Sequence, residues 1–219
     1  MLNRREFTNS ITIAGISPFF MKTSEFLNSN KGFIASLNPG AIGLKCNAHE
    51  LLDYAIEYKF SAISPLLGDL IKFNEEERKT YLSKMQINKI EFDSGGLPID
   101  FRSTETKFLE GFKFLNKHLK TISSFEIPSF VTWIMPTHKS LTYRQNFEQH
   151  HDRLSKVADV LEQEGLKLGL EYVGPKTLMV RDKYPFLHTI GGLRELINAI
   201  GKKNVGYLLD SFHTYCAED

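Results

Sequence analysis

Two short apolar runs, each ending in a carboxylate, constrain this chain more than any other feature. In residues 166–173, Leu168 and Leu170 lead into Glu171, and in residues 205–210, Leu208 and Leu209 lead into Asp210. Short apolar runs of this kind read as buried strands of a parallel sheet. A carboxylate there is costly unless it is paired, protonated or bound to a cation. Between the two runs, Leu193, Leu196, Ile197 and Ile200 recur at helical spacing, after a start at Gly191 or Gly192 and before a stop at Gly201. Strand, helix and strand make one βαβ unit, so both acids should emerge at the same rim of a parallel sheet, on neighbouring strands. Two oxygen ligands would then lie within reach of one divalent cation. For either acid alone, a salt bridge or a helix N-cap is the plainer alternative.

The same unit recurs upstream. Further strands are expected over residues 33–37 (extended through 42–45 past an Asn-Pro-Gly turn), 60–67, 89–92 and 130–135. Helices are expected over 49–58, with Leu51, Leu52, Ala55 and Ile56 in step, and after Asn74, whose first turn holds Glu75, Glu76 and Glu77. Another starts at Ser103 or Thr104 and carries Phe108, Leu109, Phe112, Leu115 and Leu119. A long one over 142–164 carries Phe147, Leu154, Val157, Ala158 and Leu161 and ends at Gly165. Alternating strands and helices define an α/β chain with a parallel sheet. A full eight-stranded barrel takes about 250 residues, and the count here stops at six strands. Over residues 31–219, six such strands fit either an open sheet or an incomplete (β/α)8 TIM-barrel type cut off after strand six. An unclosed edge at strands one and six predicts self-association, with a homo-oligomer as one outcome.

Composition excludes several functions. The formal net charge of +1 gives no sign of a nucleic-acid partner. The 17 phenylalanines are dispersed, as core residues are, rather than grouped as a stacking platform. Cys46 and Cys216 stand far apart in no CxxC pattern, which argues against a disulfide framework or structural zinc. Neither a dinucleotide-binding glycine fingerprint nor a P-loop lysine motif occurs.

At the N-terminus, Arg4, Arg5 and Phe7 precede an apolar stretch over 11–20, and the combination resembles a twin-arginine export signal. The stretch is too short to span a bilayer in the mature protein. Residues 1–30 are expected to be a leader outside the fold, directing export to the periplasm. A basic arm on a cytoplasmic protein is the alternative.

His213 follows Asp210 by three residues and could ligate a metal or donate a hydrogen bond to a substrate hydroxyl or carbonyl. Trp133, late in strand four, could stack on a sugar face or pack in the core. Lys176 and Arg181, in the loop after strand five, could meet a phosphate or a sugar acid, and His138 is a further rim candidate. Glu91 and Asp93 at the end of strand three read as salt-bridging residues. His150 and His151 read as solvated surface, since adjacent helix positions do not share a face.

The Leu170-Glu171 pair and the Leu-Asp-Ser-Phe-His run ending at His213 resemble the xylose isomerase-like TIM barrels, a sugar phosphate isomerase/epimerase group that includes ketose 3-epimerases. The leader and residues 171–177 resemble an exported bacterial branch of that group. The resemblance implies that Glu171 and Asp210 bind one divalent ion (Mn, Mg, Co or Zn) and that His213 contacts substrate. It also implies a histidine from strand seven and a glutamate from strand eight, neither of which is in this sequence, so this chain is expected to be an inactive or incomplete fragment. The implied chemistry is proton transfer through an enediolate on a small carbohydrate, with Glu171 as one of two catalytic carboxylates. Two other readings stand beside it. One is a non-catalytic degenerate sugar-binding barrel. The other is a metal-dependent phosphodiesterase of the endonuclease IV type, which would need a histidine-rich multi-metal cluster.

Overall fold

The computed structural model describes residues 33–219. The expected leader, residues 1–30, lies outside the described residues. Ser36–Asp219 form a compact unit. In chain order its strands are β1 (Ser36–Leu37), β2 (Ala62–Ile63), β3 (Glu91–Phe92), β4 (Gly95–Gly96), β5 (Ser129–Ile134), β6 (Thr137–His138), β7 (Lys167–Tyr172), β8 (Tyr184–Pro185) and β9 (Val205–Tyr207). Its helices are α1 (Ala48–Glu57), α2 (Leu67–Leu70), α3 (Glu75–Ile87), α4 (Glu105–Ser123), α5 (Tyr143–Glu162), α6 (Lys176–Met179), α7 (Ile190–Ile200) and α8 (Ser211–Ala217).

The parallel pairings run β1-β2-β3 and then β4-β5-β7-β9. β3 and β4 are successive pieces of one stretch of chain. The first pairs with β2 and the second with β5, so the six expected staves follow one another in sequence order. This is the α/β arrangement of a TIM barrel. Its strands are shorter than the apolar runs suggest. Residues 42–45, expected as strand, instead follow a 3-10 turn over Gly40–Ile42 that closes at Gly43 with φ 70°. Only glycine adopts that backbone without strain.

Helix starts follow the side-chain chemistry. Asn47 and Thr142 each complete a capping box, with Glu50 and Gln145. Asn74, Thr104 and Thr189 also accept backbone N–H bonds at helix starts. α7 begins one residue before the expected glycines, and Gly201 closes it at φ 64°.

The staves set the core. In β7, Leu168, Leu170 and Tyr172 are buried while Gly169 and Glu171 are only partly so. That alternation gives one face to the helices and the other to the barrel interior. Leu154, Val157, Ala158 and Leu161 of α5 and Leu193, Leu196 and Ile200 of α7 are buried in the same hydrophobic core. Each such leucine contributes about 1.5–3 kcal/mol by leaving water. Phe101, Phe108, Phe125, Phe130 and Phe186 are buried, as the dispersed phenylalanines predict. Both cysteines are free. Among the described residues no helix is long and apolar enough to cross a membrane.

Two expectations fail. His150 is not solvated surface but 2% exposed. Its position on α5 falls four residues before Leu154 and seven before Val157, on the buried stripe rather than beside it. There Phe101 and Phe186 pack against its ring at 5.3 and 5.0 Å between centroids. His151 next to it does turn outward and meets Asp152. Asp93 is not in a salt bridge either. Its Oδ2 accepts hydrogen bonds from Ser36 Oγ at 2.5 Å and Ser64 Oγ at 2.8 Å, linking the ends of the first three staves. Glu91 is exposed.

Candidate metal centre

β7 delivers Glu171 on the interior face of its stave, and the chain beyond β9 delivers Asp210 and His213. The turn into α8 depends on Asp210. Its Oδ1 accepts from Phe212 N at 2.7 Å and from His213 N at 3.2 Å, capping the helix. The N-cap reading and the ligand reading of Asp210 are thus compatible, because a carboxylate has a second oxygen. The first turn of α8 swings His213 back toward Glu171. One ligand atom from each of Glu171, Asp210 and His213 lies within 4.8 Å of the others.

Several observations fit a cation among these groups. Burial pushes the Glu171 pKa up, His213 draws it partly back, and the neighbouring Asp210 carboxylate adds a smaller push upward. Two acids drawn together in a half-buried place are unfavourable by themselves, and a cation reverses that. His213 Nδ1 is buried with no hydrogen-bond partner, a costly state for a ring nitrogen that a ligand relieves. Two carboxylates and an imidazole suit a divalent ion such as zinc or manganese.

Gly174 makes the approach of α8 possible. A Cβ at that position would sit 2.2 Å from His213 O and 3.0 Å from Ala217 N, inside backbone that cannot step aside cheaply. Sequence reasoning missed this residue, whose only local sign is a glycine between Val173 and Pro175.

The other expected site residues separate into two groups. Trp133 sits directly across from Glu171 in the β5–β7 register and is 44% exposed. It lines a cavity of about 770 Å³ together with His138, Arg181 and Asp182. The antiparallel β6–β8 ribbon and the bond from Thr137 Oγ1 to Asp182 Oδ2 (3.1 Å) hold that wall together. Lys176 lies elsewhere. It pairs with Glu218 at 2.7 Å and lines a separate depression with Tyr215 and Cys216.

A parallel barrel with two carboxylates and an imidazole converging at the ends of its fifth and sixth staves defines the class: a (β/α)-barrel protein with a cluster on its rim that could hold a metal ion. The chain belongs to the xylose isomerase-like TIM barrel family, whose model matches residues 52–219. It is 23% identical over 166 residues to the inosose isomerase of Bacillus velezensis, covering 75% of this chain and 47% of that protein. The chain thus spans about half the length of that curated relative. Its fold matches a xylose isomerase domain protein from Alicyclobacillus acidocaldarius subsp. acidocaldarius with a TM-score of 0.72 and 25% identity, over 85% of this chain and 66% of the other. It also matches the IOLI protein with a bound zinc atom, with a TM-score of 0.66 and 19% identity over 84% and 65% of the two chains.

Proposed function

We propose that this protein is a metal-dependent sugar isomerase or epimerase that moves a proton at a carbon beside a carbonyl. The observation that carries the reading is the convergence of Glu171, Asp210 and His213 on one point of the rim, with His213 Nδ1 buried and unpartnered. The similarity to an inosose isomerase supports a small carbohydrate as substrate. The zinc in a protein of the same fold supports a divalent ion, which Glu171, Asp210 and His213 would hold.

A divalent ion bound there supplies Lewis acidity, drawing electrons from a carbonyl and its adjacent hydroxyl and so acidifying the C–H between them. Glu171 takes the proton from that carbon. The cap on Oδ1 holds Asp210 in one rotamer, which keeps its charge facing the site. His213 steadies a substrate oxygen or completes the ligand set. The indole of Trp133, one stave away from Glu171, offers a flat apolar surface to the C–H face of a sugar ring.

Elemental analysis of protein dialysed against each metal should find one divalent ion per chain, and none after Glu171→Gln. Wherever the wild type exchanges the sugar α-hydrogen with deuterated water, Glu171→Gln should not. Undiminished exchange in the variant overturns the role of Glu171, and a wild-type chain that retains no metal overturns the whole reading. Export is part of the same proposal, supported by Arg4, Arg5, Phe7 and the apolar run after them. Recovery of the protein only in the cytoplasmic fraction of its host would refute it.

A further inference from the structure

Beside the metal-ligand cluster lies a cationic group that the proton-transfer chemistry does not use. Arg102 follows Phe101 in the loop before α4 and is half-buried in the cavity wall. Its Nε donates to Trp133 O at 2.8 Å and its Nη2 to Thr132 Oγ1 at 2.7 Å. The guanidinium is sandwiched between two rings, with Cζ 3.8 Å from the Trp133 centroid and 4.4 Å from that of Phe101. Both hydrogen-bond acceptors are uncharged. Among the described residues no carboxylate reaches ion-pair distance of Arg102. Asp100 raises its pKa only through space, while burial draws it down to about 10, still fully charged at neutral pH.

A guanidinium kept half out of water without a counter-charge is unfavourable unless something in the site compensates it. The loop is nevertheless built to hold it in place. Arg153 of α5, 7% exposed, donates to Phe101 O at 2.8 Å and to Ser103 O at 2.7 Å, clamping the carbonyls on either side of Arg102. Lys139, Arg181 and His138 line the same cavity. The Nδ1 of His138 accepts from Ser140 N at 3.1 Å and Leu141 N at 2.8 Å, so the ring is neutral with its proton on Nε2, the nitrogen left to donate to a ligand. Two acids line the same space. Asp182 is engaged by Thr137 and by Arg181 at 3.6 Å, and Asp100 lies exposed at the edge. The cavity lining therefore presents the remaining N–H groups of a fixed guanidinium that has no counter-charge, together with Lys139 and the Nε2 of His138, an arrangement matched to an oxyanion.

We propose that this cavity binds the anionic end, a carboxylate or a phosphate, of a sugar-derived substrate, with the Arg102 guanidinium as its principal partner. The sugar-derived part rests on the function proposed above. The anion site does not, because Arg102 contacts none of the three rim ligands. Trp133 connects the two. Its indole stacks on Arg102 and its register partner is Glu171, so a substrate held at its anionic end would lie across the indole with its reacting carbon toward the rim.

Trp133 is the only tryptophan in the chain, so its fluorescence reports on the cavity directly. Whole protein treated with EDTA is titrated with D-gluconate, D-glucose 6-phosphate and neutral D-glucose. At least one anion should perturb the emission saturably, with an affinity at least tenfold tighter than glucose. Whether gluconate or the phosphate binds tells the carboxylate from the phosphate. Arg102→Lys, which keeps the charge but loses the planar fork, should weaken that binding at least tenfold. If circular dichroism shows that this variant is unfolded, Lys139→Gln with Arg181→Gln should weaken it at least threefold. Glucose binding as tightly as both anions, or affinity unchanged in the folded variant, overturns the proposal. Anion binding by a chain that takes up no metal would sink the rim assignment alone, and metal uptake without anion preference would sink this one alone.

Discussion

Asp93 and Asp210 both follow the last residues of a parallel strand, yet the two ends of the sheet use them differently. Asp93 gathers the hydroxyls of Ser36 and Ser64 and ties three strand ends together. Those uncharged donors answer Oδ2 alone, and Oδ1 is buried without a hydrogen-bond partner. Asp210 answers two backbone N–H groups with one oxygen, and its neighbours are a second carboxylate and an imidazole. Burial is what chiefly pushes the Glu171 pKa up there, while His213 draws it down and Asp210 adds a smaller push upward. A carboxylate at a strand end is therefore not a site in itself. What separates the two is the company each keeps: hydroxyls at Asp93, a second carboxylate and an imidazole at Asp210.

That contrast breaks most readily at the metal. Glu171→Gln should cut divalent-ion affinity at least a hundredfold, about 3 kcal/mol, while Asp93→Asn leaves it within twofold. Isothermal titration of both variants reads this, and equal losses would erase the distinction between the two regions.

A second effect of similar size separates the β5–β9 side from the β1–β3 side by its response to acid. Burial pulls the pKa of His150 from 6.5 down to about 4, so folding favours its neutral form. A depressed pKa gives stability that is fully present above pH 6.5 and is lost as pH falls from there toward 4, by roughly 3 kcal/mol at most. In urea titrations across that window, His150→Phe should flatten the pH dependence. A slope as steep as the wild type's would place the acid sensitivity elsewhere.

Next comes Gly174→Ala. Its Cβ has no room against His213 O, so α8 must move, at a cost of about 2 kcal/mol. Metal affinity should fall along with the melting temperature. A drop in stability with metal binding intact would show that the rim tolerates the shift. The smallest effect is expected at the other end. Asp93→Ala strands the Ser36 and Ser64 hydroxyls and should cost about 1–2 kcal/mol with no change in metal binding. Thermal melts with and without added metal test both parts.

Much of this architecture is legible locally. The apolar stripes of α4 and α5, the caps at Asn74, Thr104 and Thr142, and the glycine stop at Gly201 each depend on residues within a turn or two of one another. Local reading fails where a neighbour in space decides. His150 was on the buried stripe all along, but its polarity masked a position that periodicity alone would have assigned to the core. The strand expected over 42–45 was lost to the Pro39-Gly40 turn. Arg102 carried no signal, because its partners, Trp133 and Thr132, lie some thirty residues away along the chain and meet it only in the fold.

By itself the sequence determined that strands and helices alternate, where most of the helices begin, and that Glu171 and Asp210 fall at the ends of neighbouring strands. Those outcomes rest on hydrogen bonds and burial patterns set within a single element. The tertiary structure alone decided that Trp133 stands beside Glu171, that Gly174 admits α8, and that Asp93 ends among hydroxyls. Each of these depends on the register between separate strands, and register emerges only when distant segments pack against a common core.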